Sequence, residues 1–239
     1  MRRRFFVNKL IGDRAFMIGE AAHHLGRVLR AEKGQIYELS DGALVRLARI
    51  ESVSRDRVEF VLLEEVAAHR PSVDATLLLS IVKFDAFEWA IEKATELGVS
   101  RIVPLAASRS EKGLIAGAAK RAERWRKILV EASQQSRRLS VPNLEAANTP
   151  AEQFRKQVVG LRILLSERAD APSMKVALDG SPETQVALAI GPEGGWTDGE
   201  MEAARQAGFQ EASLGKLILR TETAVISALA ALNYALMDE

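Results

Sequence analysis

The segment Ile190-Gly191-Pro192-Glu193-Gly194-Gly195-Trp196 gathers groups able to do chemistry: bare backbone at three glycines and a carboxylate, Glu193. It follows the apolar run Val186–Ile190 and precedes Thr197, which with Glu200 fits a capping box at a helix start. Loops at the carboxyl ends of parallel strands are the usual ligand sites of α/β sheets. Glycines let a ligand approach the main chain closely, and a helix N-terminus favours negative charge. A nucleotide or nucleoside site is one reading; a tight strand-to-helix turn is the other. The segment is neither a G-x-G-x-x-G nor a Walker A loop, and Glu193 opposes a phosphate, so a phosphate cradle is not expected.

A second segment runs from Leu214 to Ala224. Gly215 breaks a strand, and Leu217–Leu219 are apolar where a loop should be polar. They are expected to be buried against core or against the apolar face of a ligand. Thr221 or Thr223 can cap the last helix, and Arg220 can pair with Glu222. The third segment, Leu165-Ser166-Glu167, also ends an apolar run. Three such loops make a binding cleft if their strands are neighbours. Cations cluster elsewhere: residues 101–138 hold 10 basic and 3 acidic side chains, among them Arg101, Arg109, Lys112, Arg121, Arg124, Arg126, Lys127, Arg137 and Arg138. Such a stretch fits a polyanion or a solvated helix face. His23-His24, ahead of Arg27 and Arg30, fits RNA contact or packing, with packing favoured. Asp85, Glu88 and Glu92 fit an acid–base cluster or the first turn of a helix.

These loops need strands and helices behind them. Gln35–Ser40, Val45–Ile50 and Val58–Leu63 are strand-length runs separated by turn chemistry, and 19–29 fits one short helix. A small β-barrel or sandwich is expected up to about residue 70, with Pro71 as the boundary. Thr76–Val82, the helical spacing of Phe87–Leu97, the helix stop Gly98 and Arg101–Leu105 then form a β-α-β signature. Lys120–Ser136 reads as a basic helix. Leu161–Leu165 and Val186–Ile190 are continuous apolar strands, as expected when both sheet faces are covered. A helix from Thr197 to the C′ residue Gly208 and a short strand over Ala212–Leu214 follow. Thr221–Met237 is a final helix, apolar on most faces and in need of cover all round, some of it from a second subunit.

Composition narrows the chemistry. The 239-residue chain has no cysteine, which excludes disulfides, thiolate metal sites and cysteine nucleophiles, and its 3 histidines make a His-rich metal centre improbable. Hydrophobic residues at 47% and charged residues at 27% fit a globular chain of one or two domains. No apolar run reaches the ~18 residues that span a bilayer, and the apolar stretch after Arg2-Arg3-Arg4 ends too soon for a signal peptide. A soluble cytoplasmic protein is expected. The net charge of +1 hides an asymmetry: residues 1–70 carry 13 basic and 10 acidic side chains, residues 151–239 carry 8 and 13.

Arg3-Arg4-Phe5-Phe6, His24-Leu25-Gly26-Arg27-Val28-Leu29-Arg30, Glu92–Val99, Arg109-Ser110, Ile190–Gly195 and Leu214–Ala224 occur in one order along nearly the whole chain. In this the chain resembles the RsmE family, small-subunit ribosomal RNA uridine N3-methyltransferases of the SPOUT superfamily. The resemblance implies an α/β fold: a PUA-like, RNA-binding β-barrel over residues 1–70, then a parallel-sheet SPOUT domain over 71–239 closed by a trefoil knot. It implies S-adenosylmethionine (SAM) as cofactor, small-subunit ribosomal RNA as partner and a homodimer; from the residues themselves, no membrane partner and no metal are expected. The matching cofactor positions are Leu165, Ser166, Glu167, Gly191, Pro192, Gly194, Leu214, Gly215, Ile218, Leu219, Thr221 and Thr223. Arg27, Arg30, Lys83, Arg109, Arg124, Arg137 and Arg138 become the RNA-binding candidates. Phe84 stands where the family commonly has glycine after the lysine. For the reaction itself, Arg220 is expected to stabilise negative charge on the target uracil, and Glu193 is the second candidate, as proton acceptor. The alternatives are an RNA-binding assembly factor with secondary or lost methylation, and a transfer-RNA methyltransferase of the same fold.

Overall fold

Turn residues cut the first part of the chain into short strands. A computed structural model describes residues 3–68, 70–158 and 160–236. It opens with β1 (Arg4–Phe6), β2 (Leu10–Ile11), β3 (Arg14–Ile18), α1 (Gly19–His23), β4 (Ile36–Ser40), β5 (Val45–Val53) and β6 (Arg57–Glu65). The strands pair in the order β1-β4-β5-β6-β3-β2, a curled mixed sheet in which β1 and β4 run parallel. Register shifts between Arg46 and Ala48 and between Ile50 and Ser52 interrupt the β5–β6 ladder. Such bulges sharpen local twist and bend a sheet. Phe5, Met17, Leu25, Leu39, Ile50 and Phe60 form the core.

The expected single helix over 19–29 is more complex. α1 passes into one π-helical turn, His24–Val28, closed by the Leu29 amide on the His24 carbonyl at 3.0 Å. Leu25 is buried, whereas His23, His24 and Arg27 are exposed. The packing role favoured for the two histidines is thereby corrected: the wide turn sends Leu25 inward and leaves them outside.

The chain folds into two compact units, and the first unites Met1–Arg70 with Ser133–Val141. Nothing in composition marks off that second piece. Its hold on the strands is polar and buried. Glu38, with its side chain 4% exposed, pairs with Arg4 at 2.8 Å and with Arg137. Ser40 Oγ donates to the Leu139 carbonyl at 2.6 Å.

The second unit, Pro71–Ala132 with Pro142–Glu239, alternates strands and helices. They are β7 (Asp74–Ser80), α2 (Phe84–Glu96), β8 (Arg101–Leu105), α3 (Lys112–Gln135, its last residues in the first unit), β9 (Asn143–Leu144), α4 (Pro150–Lys156), β10 (Leu161–Leu165), α5 (Met174–Leu178), β11 (Gln185–Ile190), α6 (Asp198–Gln206), β12 (Gln210–Ala212) and α7 (Thr221–Leu236). All strand pairs are parallel, in the order β12-β10-β11-β7-β8-β9. The expected strand over Ala212–Leu214 lies two residues earlier, because Ser213 turns to pair with Ser173 and Gly215 follows. Phe87 and Trp125 pack at 4.4 Å between ring centroids, and Phe84 meets Trp125 edge-on at 6.1 Å. The Asn233 amide, the polar interruption in α7, donates to the Leu97 carbonyl at the end of α2 at 2.9 Å. No helix among the described residues is long and apolar enough to cross a membrane, and no group of His, Asp and Glu there has the arrangement of a metal site.

Candidate active site at the strand ends of the parallel sheet

β10, β11 and β12 are neighbours, so the three loops singled out in the sequence leave adjacent strand ends. They surround one cleft of about 750 Å³. Leu165, Ser166, Glu167, Gly191, Pro192, Gly194, Leu214, Gly215, Ile218, Leu219 and Thr221 line it, as do Arg220 and Glu193. Thr223 does not. On α7 the cleft is lined by Thr221 and Ala224, three residues apart. With 3.6 residues per turn, position 223 points away from that face.

The first loop is held from behind. Trp196 Nε1 donates to the Leu165 carbonyl at 2.9 Å, and the Ser166 amide donates to Ala212 at 2.9 Å. The glycine loop closes on itself, with the Gly195 amide on the Pro192 carbonyl at 2.8 Å. α6 begins with the capping box expected of Thr197 and Glu200, and ends before Gly208, whose φ of +77° suits a C′ residue. Burial pushes the Glu200 carboxyl up, but hydrogen bonds from Thr197 and Ser108 outweigh it and hold the group below its ordinary value.

The third loop departs from expectation. Leu217 is 83% exposed and Ile218 is 78% exposed. The core does not cover these residues. They stand at the cleft rim as apolar surface that a flat apolar ligand can cover. Arg220 and Glu222 form no ion pair. The Arg220 carbonyl instead accepts from the Ala224 amide at 2.9 Å, the first hydrogen bond of α7. The exposed Arg220 guanidinium and Glu193 carboxylate have no hydrogen-bond or ion-pair partner among the described residues.

Sequence reasoning placed Arg109 with the RNA contacts, yet it lines this cleft. Its Nη1 donates to the Gly194 carbonyl at 2.8 Å. A Cβ on Gly194 would lie 3.2 Å from the Arg109 Cβ, so glycine permits this approach. Arg168 and Lys216 also line the cleft. Arg168 sits one residue beyond Leu165–Glu167, and Lys216 lies within the segment Leu214–Ala224; that adjacency was the available signal.

The other cations scatter. Arg124 and Arg121 pair with Glu88 at 2.8 and 3.4 Å. Glu92 pairs with Lys93 at 2.7 Å. Of Asp85, Glu88 and Glu92, the last two are thus engaged in ion pairs, and Asp85 lies in the first turn of α2, the helix-start alternative. Arg137 is engaged with Glu38 inside the first unit. Arg138 Nε donates to the Ser140 carbonyl at 3.2 Å, and burial pushes its guanidinium down to about 10. Arg27, Arg30 and Lys83 are exposed.

Comparison with known proteins bears directly on this arrangement. The family profile described as RNA methyltransferase domain matches residues 69–233, and that described as RNA methyltransferase PUA domain matches residues 18–63. A protein of Synechocystis sp. named ribosomal RNA small subunit methyltransferase E is 37% identical, over 88% of this chain and 70% of its own length. The protein of that name from Bacillus subtilis is 32% identical, over 90% of this chain and 88% of its own. The crystal structure of ribosomal RNA small subunit methyltransferase E from Neisseria gonorrhoeae, bound to S-adenosylmethionine, superposes with a TM-score of 0.89 at 29% identity, covering 99% of this chain and 98% of that one. With a methyltransferase-domain and a PUA-domain profile matched and most of its length aligned to these relatives, this chain belongs to the ribosomal RNA small subunit methyltransferase E family.

Proposed function

We propose that this protein methylates N3 of a uridine in small-subunit ribosomal RNA, with S-adenosylmethionine as methyl donor. The observation that carries the reading is the convergence of the three loops on one cleft at adjacent parallel strand ends, in a chain of this family. The cleft fits the donor. Gly215, where an added Cβ would meet nothing within 4 Å, leaves room for close approach, and Leu214, Ile218 and Leu219 present apolar surface to an adenine ring. When bound, S-adenosylmethionine supplies a methyl group carried on a sulfonium.

The residues of the chain then have two tasks. The cleft walls must hold donor and acceptor in line, since an in-line displacement gains most from positioning. The neutral uracil also carries a proton on N3, which must leave as the bond to carbon forms. Arg220, unpartnered among the described residues and at the cleft, stabilises the negative charge that develops on the base. Glu193, likewise unpartnered and on the glycine loop, is the candidate acceptor of that proton. N3 lies on the pairing edge, so the nucleotide must enter unpaired or flipped out of its stack. In this reading Arg27, Arg30 and Lys83 steer RNA phosphates, and the exposed side of α7 around Ala230 and Tyr234 packs in a homodimer. The knot implied by the resemblance belongs to the same reading.

The test is methyl transfer from labelled S-adenosylmethionine to small ribosomal subunits lacking the modification, with free ribosomal RNA and transfer RNA alongside. Mass spectrometry then identifies the labelled nucleoside. Label in 3-methyluridine from subunits or ribosomal RNA is the expected result. Label confined to transfer RNA, or in no RNA despite donor binding, overturns the substrate assignment.

A further inference from the structure

Glu200 is explained only in part by its place in the capping box. It is 7% exposed, and its two carboxylate oxygens have different partners. Oε2 accepts from the Thr197 amide at 2.9 Å and from the Thr197 hydroxyl at 2.8 Å, the capping interaction. Oε1 accepts from the amide of Ser108 at 2.8 Å, 92 residues away in sequence. Ser108 lies in the loop after β8 and immediately precedes Arg109. Arg109 in turn reaches the Gly194 carbonyl at 2.8 Å in the loop before α6. One buried carboxylate thus stitches the β8 loop to the start of α6, and one guanidinium stitches it to the glycine loop just before that helix.

A capping box works with Glu or Gln at this position. Reaching a second loop as well requires an acceptor on both sides of the group, which a carboxylate has and a carboxamide lacks. In a Glu200→Gln chain one amide hydrogen, of Thr197 or of Ser108, must face an NH₂ group. The sequence motif asks only for a helix cap, whereas the structure uses the one property that separates Glu from Gln.

We propose that Glu200 is a positioning residue for methyl transfer: its carboxylate fixes the Ser108–Arg109 loop and so sets the Arg109 guanidinium against Gly194 at the wall of the cleft. The inference rests on the methyltransferase reading for its catalytic consequence, but the contact itself is independent of it. Arg109 extends along the glycine loop only while its backbone is anchored, and displacement of a group by about 1 Å can lower a rate on the order of a hundredfold.

The experiment has two arms. In the first, Glu200→Gln is compared with the parent and with Arg109→Ala, singly and together. The expected result is a fall in kcat on the order of tenfold or more for Glu200→Gln, with KM for S-adenosylmethionine within about twofold. In the Arg109→Ala background the same change should cost less than about twofold, because it acts through a group already removed. Equal fold-losses in both backgrounds, or an unchanged kcat, overturn the proposal. In the second arm, amide protons of Ser108 and Thr197 are followed by NMR during acid titration of the parent protein. Both should shift with one common midpoint as the carboxylate protonates. Independent titration, or an invariant Ser108 amide, overturns the proposal even if the variant does not fold. If the parent methylates no RNA, the methyltransferase reading fails, and the NMR arm still decides whether Glu200 holds the loop.

Discussion

Arg220 stands where an α-helix least favours a cation. Its carbonyl accepts the first hydrogen bond of α7, so the residue stands at the positive end of the helix. No carboxylate among the described residues forms an ion pair with it, although Glu222 lies in the first turn of α7. A cation without an ion-pair partner at such a position has its charge free for a partner outside the chain, and the cleft supplies the place. Arg220→Ala should lower kcat about a hundredfold, as loss of a charge-stabilising donor commonly does. Donor affinity should stay within about threefold, and stability should hold or rise slightly. Steady-state kinetics, calorimetric titration and thermal unfolding check the three parts, and parallel loss of donor affinity would sink the assignment. Glu38 behaves oppositely. It is buried between Arg4 and Arg137, so Glu38→Gln leaves two guanidinium groups without their counter-charge. A loss of roughly 3–5 kcal/mol in urea unfolding is expected for one partner removed from a buried pair. Arg27→Ala should leave stability unchanged and reduce the salt dependence of RNA binding by about one counterion.

At the scale of elements, α6 carries the clearest dependence on pH. The Glu200 carboxyl is held below its ordinary value of 4.5 in the folded chain. Its contribution to stability is therefore fully present above that ordinary value. It is lost as pH falls through the lowered folded value. Unfolding free energy measured from about pH 6 downward should decline less steeply in Glu200→Gln than in the parent over that window. Gly160 shows how a strand start depends on one residue: at φ +76°, an added Cβ would lie 2.2 Å from the Gln185 carbonyl oxygen. Gly160→Ala should destabilise by about 2 kcal/mol or more, combining backbone strain with a clash against β11. The α6 cap and the β10 and β11 strands were legible because their signals are local: a Thr-x-x-Glu spacing and unbroken apolar runs. The π-helical turn at His24–Val28 was not, since a single turn is too short for its wider repeat to show in the spacing of apolar residues. Exposure of Leu217 and Ile218 was also hidden, because apolar type alone cannot tell a core side chain from one that faces a ligand. Arg109 was assigned to RNA because its charge was visible, and its contact with Gly194, 85 residues on, was not.

For the molecule as a whole, α7 sets the expected assembly. Val225, Ala228, Leu229 and Leu232 are buried, but Tyr234 is 93% exposed on a mostly apolar helix. Sedimentation should show a dimer for the parent chain and a shift toward monomer for Tyr234→Glu; a parent that sediments as a monomer would remove the dimer from the reading. The segment Ser133–Val141 has a different bearing. It completes the first unit from a point far downstream, giving Arg137 to Glu38 and the Leu139 carbonyl to Ser40. A fragment ending at Arg70 would carry Glu38 and Ser40 without these partners. The first unit is therefore not a cassette that a single crossover after Arg70 can transfer to another protein. In evolutionary terms, an exchange between lineages that keeps these contacts has to take both stretches together.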